Sequence, residues 1–309
     1  MDIDAIRINF NSDQLFILNI CLAFLMFGVA LDIKLVDFKN IFKKPKAPIV
    51  GLVSQLLLLP ILTLLLIYIL KPPASLALGM ILVASCPGGN VSNFAVHLSK
   101  ANAALSVMLT SMTTLFAIIF TPISFTFLSK LVLGDEALQQ SIYVEPMQMV
   151  QSIALLIFLP LVLGMFLNHN YEKLTNKIQK PVRILSMIIF LSFVVVAIIS
   201  NWENIKNYLY LVFYLVLIHN SLAYVLGYSV ANFLKLPKAD ARAISIETGI
   251  QNTGLGLILI FNFFGGLGGM ALVAACWGIW HLISGFFLAM LWSGNIPFLK
   301  KYFPREIRN

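Results

Sequence analysis

Charge is what this sequence has least of. Of its 309 residues only 11% are Asp, Glu, Lys or Arg, where a soluble globular domain carries about a quarter. With 60% hydrophobic residues and a mean hydropathy of +0.91, this scarcity excludes an ordinary soluble globule and predicts an all-α polytopic membrane protein. Cysteine is scarce too. Cys21, Cys86 and Cys276 are too dispersed for a disulfide framework or a metal cluster, and each lies in an apolar segment, so they read as packed free thiols. There is no His-Glu-x-x-His and no Gly-x-Gly-Asp, and the serines of the apolar segments have no evident base, which argues against an intramembrane enzyme. The start, Met1-Asp2-Ile3-Asp4-Ala5-Ile6, has neither the basic region nor the apolar core of a signal peptide. A net charge of +8 could suggest nucleic acid. The basic residues instead fall in short loops between apolar segments, where they set membrane orientation.

What is present is a succession of apolar runs. A span needs roughly 20 mainly apolar residues. Nine runs qualify, at about 14–32, 47–70, 75–99, 102–132, 145–168, 181–200, 206–234, 239–263 and 268–292. Lys43-Lys44-Pro45-Lys46, Lys71-Pro72-Pro73 and Gly134-Asp135-Glu136 mark breaks between them. Alternate loops are basic. Lys34, Lys39, Lys43, Lys44, Lys46, Lys100, Lys173, Lys177, Lys180, Arg183, Lys235, Lys238, Arg242, Lys300, Lys301, Arg305 and Arg308 place 17 of the 21 basic residues on one side. Arg7, Lys71, Lys130 and Lys206 fall on the other. The asymmetry predicts an N-terminus outside and a cytoplasmic C-terminus.

Two spans are interrupted. In the third, Cys86-Pro87-Gly88-Gly89-Asn90-Val91-Ser92-Asn93 places helix-breaking residues in mid-span, followed by polar ones. Broken backbone at membrane depth is tolerated only where it is buried in protein or lines a cavity. In the eighth, Glu247-Thr248-Gly249-Ile250-Gln251-Asn252-Thr253-Gly254 combines a carboxylate with glycines and amides. An acid at that depth is a functional candidate; the structural alternative is a protonated Glu bonded to a neighbouring helix. The two interrupted spans lie five apart, and five is odd, so an internal repeat would be inverted. Paired interrupted helices in inverted halves point to a secondary transporter's site. There the free N–H ends of the second half-helices favour an anion and the free carbonyls of the first halves a cation.

Further polar groups fit this picture. Ser106 and Thr110 share a face of the fourth span, followed by Thr113 and Thr114, and Gln55 sits in the second. Each has an alternative as interhelical glue. His281, mid-way along the last span, is open between function and packing; His219-Asn220 reads as structural, and His97 and His169 as interfacial.

These stretches, with Trp280-His281-Leu282-Ile283-Ser284-Gly285, Met26-Phe27-Gly28 and His219-Asn220 with Gly227, resemble the signatures of the bile acid:sodium symporter family from about Leu15 to about Leu291. The resemblance implies a sodium/proton antiporter-like fold with crossing discontinuous helices and nine transmembrane helices. A panel domain would comprise about 14–32 and 145–200, and a core domain about 47–132 and 206–292. It implies two sodium ions as coupling ions. One would lie among Ser92, Asn93, Ser106, Thr110 and Glu247, the other among Gln55, Glu247, Thr248, Ile250 and Gln251, partly through backbone carbonyls. Gly89, Asn90, Asn252 and His281 would face the substrate. Relatives often carry Thr where this chain has Asn90, a departure that bears on the substrate and not on sodium. The implied function is sodium-coupled import of an organic anion, bile acid-like or a small carboxylate or sulfonate, across a bacterial inner (plasma) membrane. A proton-coupled carrier, or a metalloid or other-anion carrier of the same architecture, is the alternative.

Overall fold

The computed structural model describes residues 3–8, 12–31, 45–89, 91–141, 146–200, 202 and 206–294. Most of the basic loop at 33–46, the C-terminal basic residues Lys300, Lys301, Arg305 and Arg308, and Asn90 lie outside the described residues. Apolar runs become helices because a backbone deprived of water must bond within its own segment. In chain order these are α1 (Ser12–Ala30), α2 (Lys46–Leu70), α3 (Ala74–Ser85), α4 (Val91–Leu98) and α5 (Ala103–Gly134). They continue with α6 (Met147–Asn170), α7 (Glu172–Ser200), α8 (Leu209–Phe233), α9 (Lys238–Gly249), α10 (Thr253–Phe263) and α11 (Gly268–Ser293). Five of them, α2, α5, α6, α8 and α11, are long and apolar enough to cross a membrane. Shorter apolar helices are α3, α10 and the stretch Asn19–Gly28 within α1.

Both interruptions expected from the sequence fall where glycine, proline and polar residues cluster. The third run is split into α3, which ends at Ser85, and α4, which starts at Val91, and the eighth into α9 and α10 by residues 250–252. Two helices widen locally instead of breaking. α2 contains a π-turn at Ser54–Leu58, and α6 one at Ala154–Phe158. Each ends just before a proline, Pro60 or Pro160. A proline has no N–H and its ring collides with the carbonyl four residues back, so a wider turn relieves the clash. The α2 π-turn carries Gln55.

The helices pack in two groups. α1 lies against α6 and α7. The remaining helices form the larger group, in which α3 packs on α11 and α5, α8 on α9 and α11, and α10 on α11. The two groups meet where α1 touches α10 and where α5 touches α6. In the larger group α3 is buried from Ser75 to Ser85 and α10 from Thr253 to Phe261. A helix buried all round is apolar all round, which is why neither shows an amphipathic stripe. Close approach requires small residues here: a Cβ at Gly79 would lie 2.9 Å from Met270 Cα on α11.

One element has no sequence signature. Residues 3–8 form a strap on the larger group. Ile3, Ile6 and Ile8 are buried. Ile8 N donates to Gly266 O at 2.8 Å and Gly268 N to Ile6 O at 2.9 Å, so the strap pairs with the α10–α11 connection. The Asp4 carboxylate accepts from Ser75 N at 2.8 Å, capping α3 from outside that helix.

Candidate functional site

The two interruptions meet and pair. Gly88 and Gln251 form an isolated antiparallel bridge, in which Gly89 N donates to Ile250 O at 3.0 Å and Asn252 N to Pro87 O at 2.8 Å. Backbone groups stranded by each break are thus satisfied by the other. The approach is too close for a side chain. A Cβ at Gly88 would lie 2.9 Å from Glu247 Oε2, and one at Gly89 would lie 2.9 Å from Gln251 O. Glycine serves here because backbone must pass beside backbone.

The ends of the first half-helices are capped from neighbouring helices. Thr121 Oγ1 on α5 donates to Ser85 O at 2.7 Å, at the end of α3. Asn220 Nδ2 on α8 donates to Gly249 O at 2.7 Å, at the end of α9. Asn220 is itself held by Ser284 Oγ of α11, which donates to its Oδ1 at 2.8 Å. At the start of the second half-helices, Gly88 N donates to Thr113 Oγ1 at 3.2 Å, and Leu255 N donates to Asn252 Oδ1 at 3.0 Å.

Beside this pairing lies Glu247, 1% exposed. Ser92 Oγ of α4 donates to its Oε1 at 2.5 Å. Ser106 of α5 donates to the same oxygen, and Thr110 Oγ1 lies 3.1 and 3.0 Å from the two carboxylate oxygens. Asn93 Oδ1 is within reach of Ser106 Oγ at 2.8 Å and Thr110 Oγ1 at 3.3 Å. Five side chains predicted to act together are therefore brought together from α4, α5 and α9. Each hydroxyl has one hydrogen, so Ser92, Ser106 and Thr110 bring three hydrogens to a set of six oxygens. Ser106 and Thr110 each face two acceptor groups and can donate to one. A small hard cation resolves this surplus, because it takes several lone pairs at once. One carboxylate among neutral oxygens balances a single positive charge. Among the described residues no three His, Cys, Asp or Glu gather as a metal group, so the set differs from a transition-metal site.

The second predicted group is adjacent. Gln55 is 1% exposed; its Nε2 lies 3.5 Å from Gln251 Oε1. Its Oε1 is buried and has no hydrogen-bond partner among the described residues. A buried orphan acceptor calls for a water or an ion. Thr248 Oγ1 sits 3.0 Å from Ser54 Oγ, and Gln251 Nε2 donates to Thr248 O at 2.9 Å. The Ile250 carbonyl accepts from Gly89, leaving one of its two lone pairs.

The predicted substrate residues are less convergent. Asn90 lies outside the described residues. The N–H of Gly89 is engaged by Ile250, so it is not a free anion donor in this arrangement. Asn252 caps α10 with its oxygen and directs its amide toward Met26 Sδ of α1 at 3.9 Å. His281 is 5% exposed, and its Nδ1 has no hydrogen-bond partner among the described residues. One turn on, Gly285 faces the second interruption, where an added Cβ would lie 2.8 Å from Ile250 Cδ1. His219 pairs with Thr63 Oγ1 at 2.7 Å and packs edge-on to Trp277, in keeping with its structural reading. Thr121 and Asn220 are the site-forming residues whose roles sequence reasoning did not supply. Thr121 carries only the signal of a polar residue in mid-span; Asn220 also stands in a stretch that carries the family resemblance.

A helical membrane protein with two interrupted helices whose breaks pair beside a buried carboxylate is the class these features define. A profile of the Sodium Bile acid symporter family matches residues 19–208. An uncharacterised sodium-dependent transporter of Bacillus subtilis is 33% identical over 279 residues, which is 90% of this chain and 84% of the relative. A probable chloroplastic sodium/metabolite cotransporter of Arabidopsis thaliana is 29% identical over 88% of this chain, and one of Oryza sativa subsp. japonica is 32% identical over 79%. The chain spans 65% and 56% of those two plant proteins. The chain belongs to the sodium bile acid symporter family. These relatives are named as sodium-dependent transporters or sodium/metabolite cotransporters.

Proposed function

We propose that this protein is a sodium-coupled secondary symporter that imports an organic anion by alternating access. The observation that carries the reading is the meeting of the two interruptions, beside which Glu247 of α9 sits among hydroxyl and amide oxygens from α4 and α5. One sodium ion is held by Ser92, Asn93, Ser106, Thr110 and Glu247. A second is held by Gln55, Glu247, Thr248, Gln251 and the Ile250 carbonyl. Binding neutralises the one carboxylate and ties α4, α5 and α9 together. The substrate, a bile acid-like molecule or a small carboxylate or sulfonate, is taken near Gly89, Asn90, Asn252 and His281, where α4 and α10 begin and their dipoles favour negative charge.

The architecture proposed around this site has nine membrane crossings, an outer N-terminus and a cytoplasmic C-terminus, in a bacterial inner membrane. The basic-loop asymmetry supports it. α3–α4 and α9–α10 are inverted-repeat partners. α1, α6 and α7 are the panel, and α2–α5 with α8–α11 the core, which fits the two packing groups. Alternating access is movement of core against panel.

Uptake into proteoliposomes with and without an inward sodium gradient tests the reading, scored over a panel of organic anions. Accumulation that depends on the gradient is expected. Uptake unaffected by removing sodium overturns sodium coupling. The second reading is proton coupling, favoured by the same carboxylate, whose hydroxyl partners serve a proton as well. It predicts uptake driven by a pH gradient in sodium-free buffer.

A further inference from the structure

Helices α1 and α10 belong to different packing groups and touch along a single seam. Two polar contacts lie on it. Asn262 Nδ2 donates to Asn19 Oδ1 at 3.0 Å, and Asn19 Nδ2 donates back to Asn262 Oδ1 at 3.3 Å. The second hydrogen of the Asn262 amide goes to Ile258 O at 2.9 Å on its own helix. Seven residues along α1, Met26 meets the Asn252 amide. The residue between, Ala23, shares the Asn19–Met26 face by helical spacing.

Neither asparagine is explained by its own helix. Asn is a middling helix former. Asn19 sits within the apolar stretch Leu15–Ala30, and Asn262 follows the uninterrupted apolar run Leu257–Phe261. The pair is exposed, not sealed in the core. Two amides facing each other are self-satisfying: each oxygen receives one hydrogen from the other. When the seam parts, both lose a partner at once. Water entering the opened seam replaces these bonds, whereas lipid does not. The pair therefore resists opening unless a wet crevice forms.

We propose that the Asn19–Asn262 pair is a latch between panel and core, closed in this arrangement and broken in the alternate one. This rests on the transport reading above. The latch positions helices and contacts neither ion nor substrate. Interhelical hydrogen bonds of this kind are individually weak, so losing this pair of them shifts the balance between the two arrangements without unfolding either.

The test uses the purified full chain carrying Cys21→Ser, Cys276→Ser and Ala23→Cys, with the buried Cys86 retained. The readout is the rate of maleimide labelling at position 23, with and without sodium. Asn19→Ala and Asn262→Ala should each speed labelling several-fold, on the order of three- to tenfold. The double variant should be no faster than either single one, because both remove the same contact. Labelling rates unchanged by either substitution overturn the latch, and so does a double variant whose effect is the product of the single effects. Sodium-dependent thermal stabilisation should survive in all variants; its loss would mean that the core has been damaged and would also overturn a purely positional role. If the unsubstituted protein shows no sodium-dependent uptake, the transport reading fails while labelling still reports the seam. If uptake is sodium-driven and labelling does not respond, only the latch fails.

Discussion

Glu247 concentrates the chemistry. Its carboxylate is buried, and every described side-chain partner is a hydroxyl. Glu247→Gln keeps the shape and can still accept from Ser92 and Ser106, so the fold should hold while sodium-dependent thermal stabilisation disappears. Melting curves with sodium and with an inert cation at equal ionic strength check this. Ser106→Ala removes one ligand and leaves the charge, so a weaker effect is expected: sodium affinity falls roughly tenfold, about the 1.4 kcal/mol of one modest contact. Asn220→Ala acts differently. It strands the Gly249 carbonyl, and stability should fall by about 1–3 kcal/mol with or without sodium. By itself the sequence singled out the carboxylate of Glu247, because an acid at membrane depth is rare; Ser92, Asn93, Ser106 and Thr110 were grouped with it as a proposed sodium site by the family resemblance, since hydroxyls in a membrane helix are common. The caps were not legible. Nothing in the neighbourhood of Thr121 or Asn220 reveals that its partner is a helix end 36 or 29 residues away.

At the scale of elements, the interruptions were predictable from Pro87-Gly88-Gly89 and from the glycine-rich run after Glu247, and helices do end there. That the breaks pair as a short antiparallel bridge was not predictable, since pairing depends on two segments more than 150 residues apart meeting in register. The bridge makes a sharp prediction. In Gly88→Ala the new methyl would meet Glu247 Oε2 and Gln55 Nε2 at 2.9 and 3.0 Å. Sodium-dependent stabilisation should be lost although no ligand has changed, again read by melting curves. The N-terminal strap, read from the sequence only as a stretch without a signal peptide, is an element made by tertiary contact. Asp4→Ala removes the cap on α3 and should lower stability by about 1 kcal/mol, as a cap loss does. Chemical denaturation in detergent checks it.

For the whole molecule, symport requires that ion and substrate help each other. Each should raise the other's affinity by the same factor, because coupling is reciprocal. Calorimetric titration of an organic anion that is taken up, at rising sodium, tests that equality. Protons compete with sodium for the Glu247 oxygens, so the sodium needed for half-maximal stabilisation should rise as pH is lowered. Composition and hydropathy by themselves determined that this is a helical membrane protein, because a dry bilayer leaves the backbone few alternatives. Local chemistry determined where two helices break, because proline and glycine act on their own segment. Only the tertiary structure decided that the two breaks pair, that Glu247 meets Ser92, Ser106 and Thr110, and that Asn19 finds Asn262. Those contacts join residues between about 140 and 240 positions apart. Hydrophobic periodicity carries no information about which distant partner a buried polar group will choose.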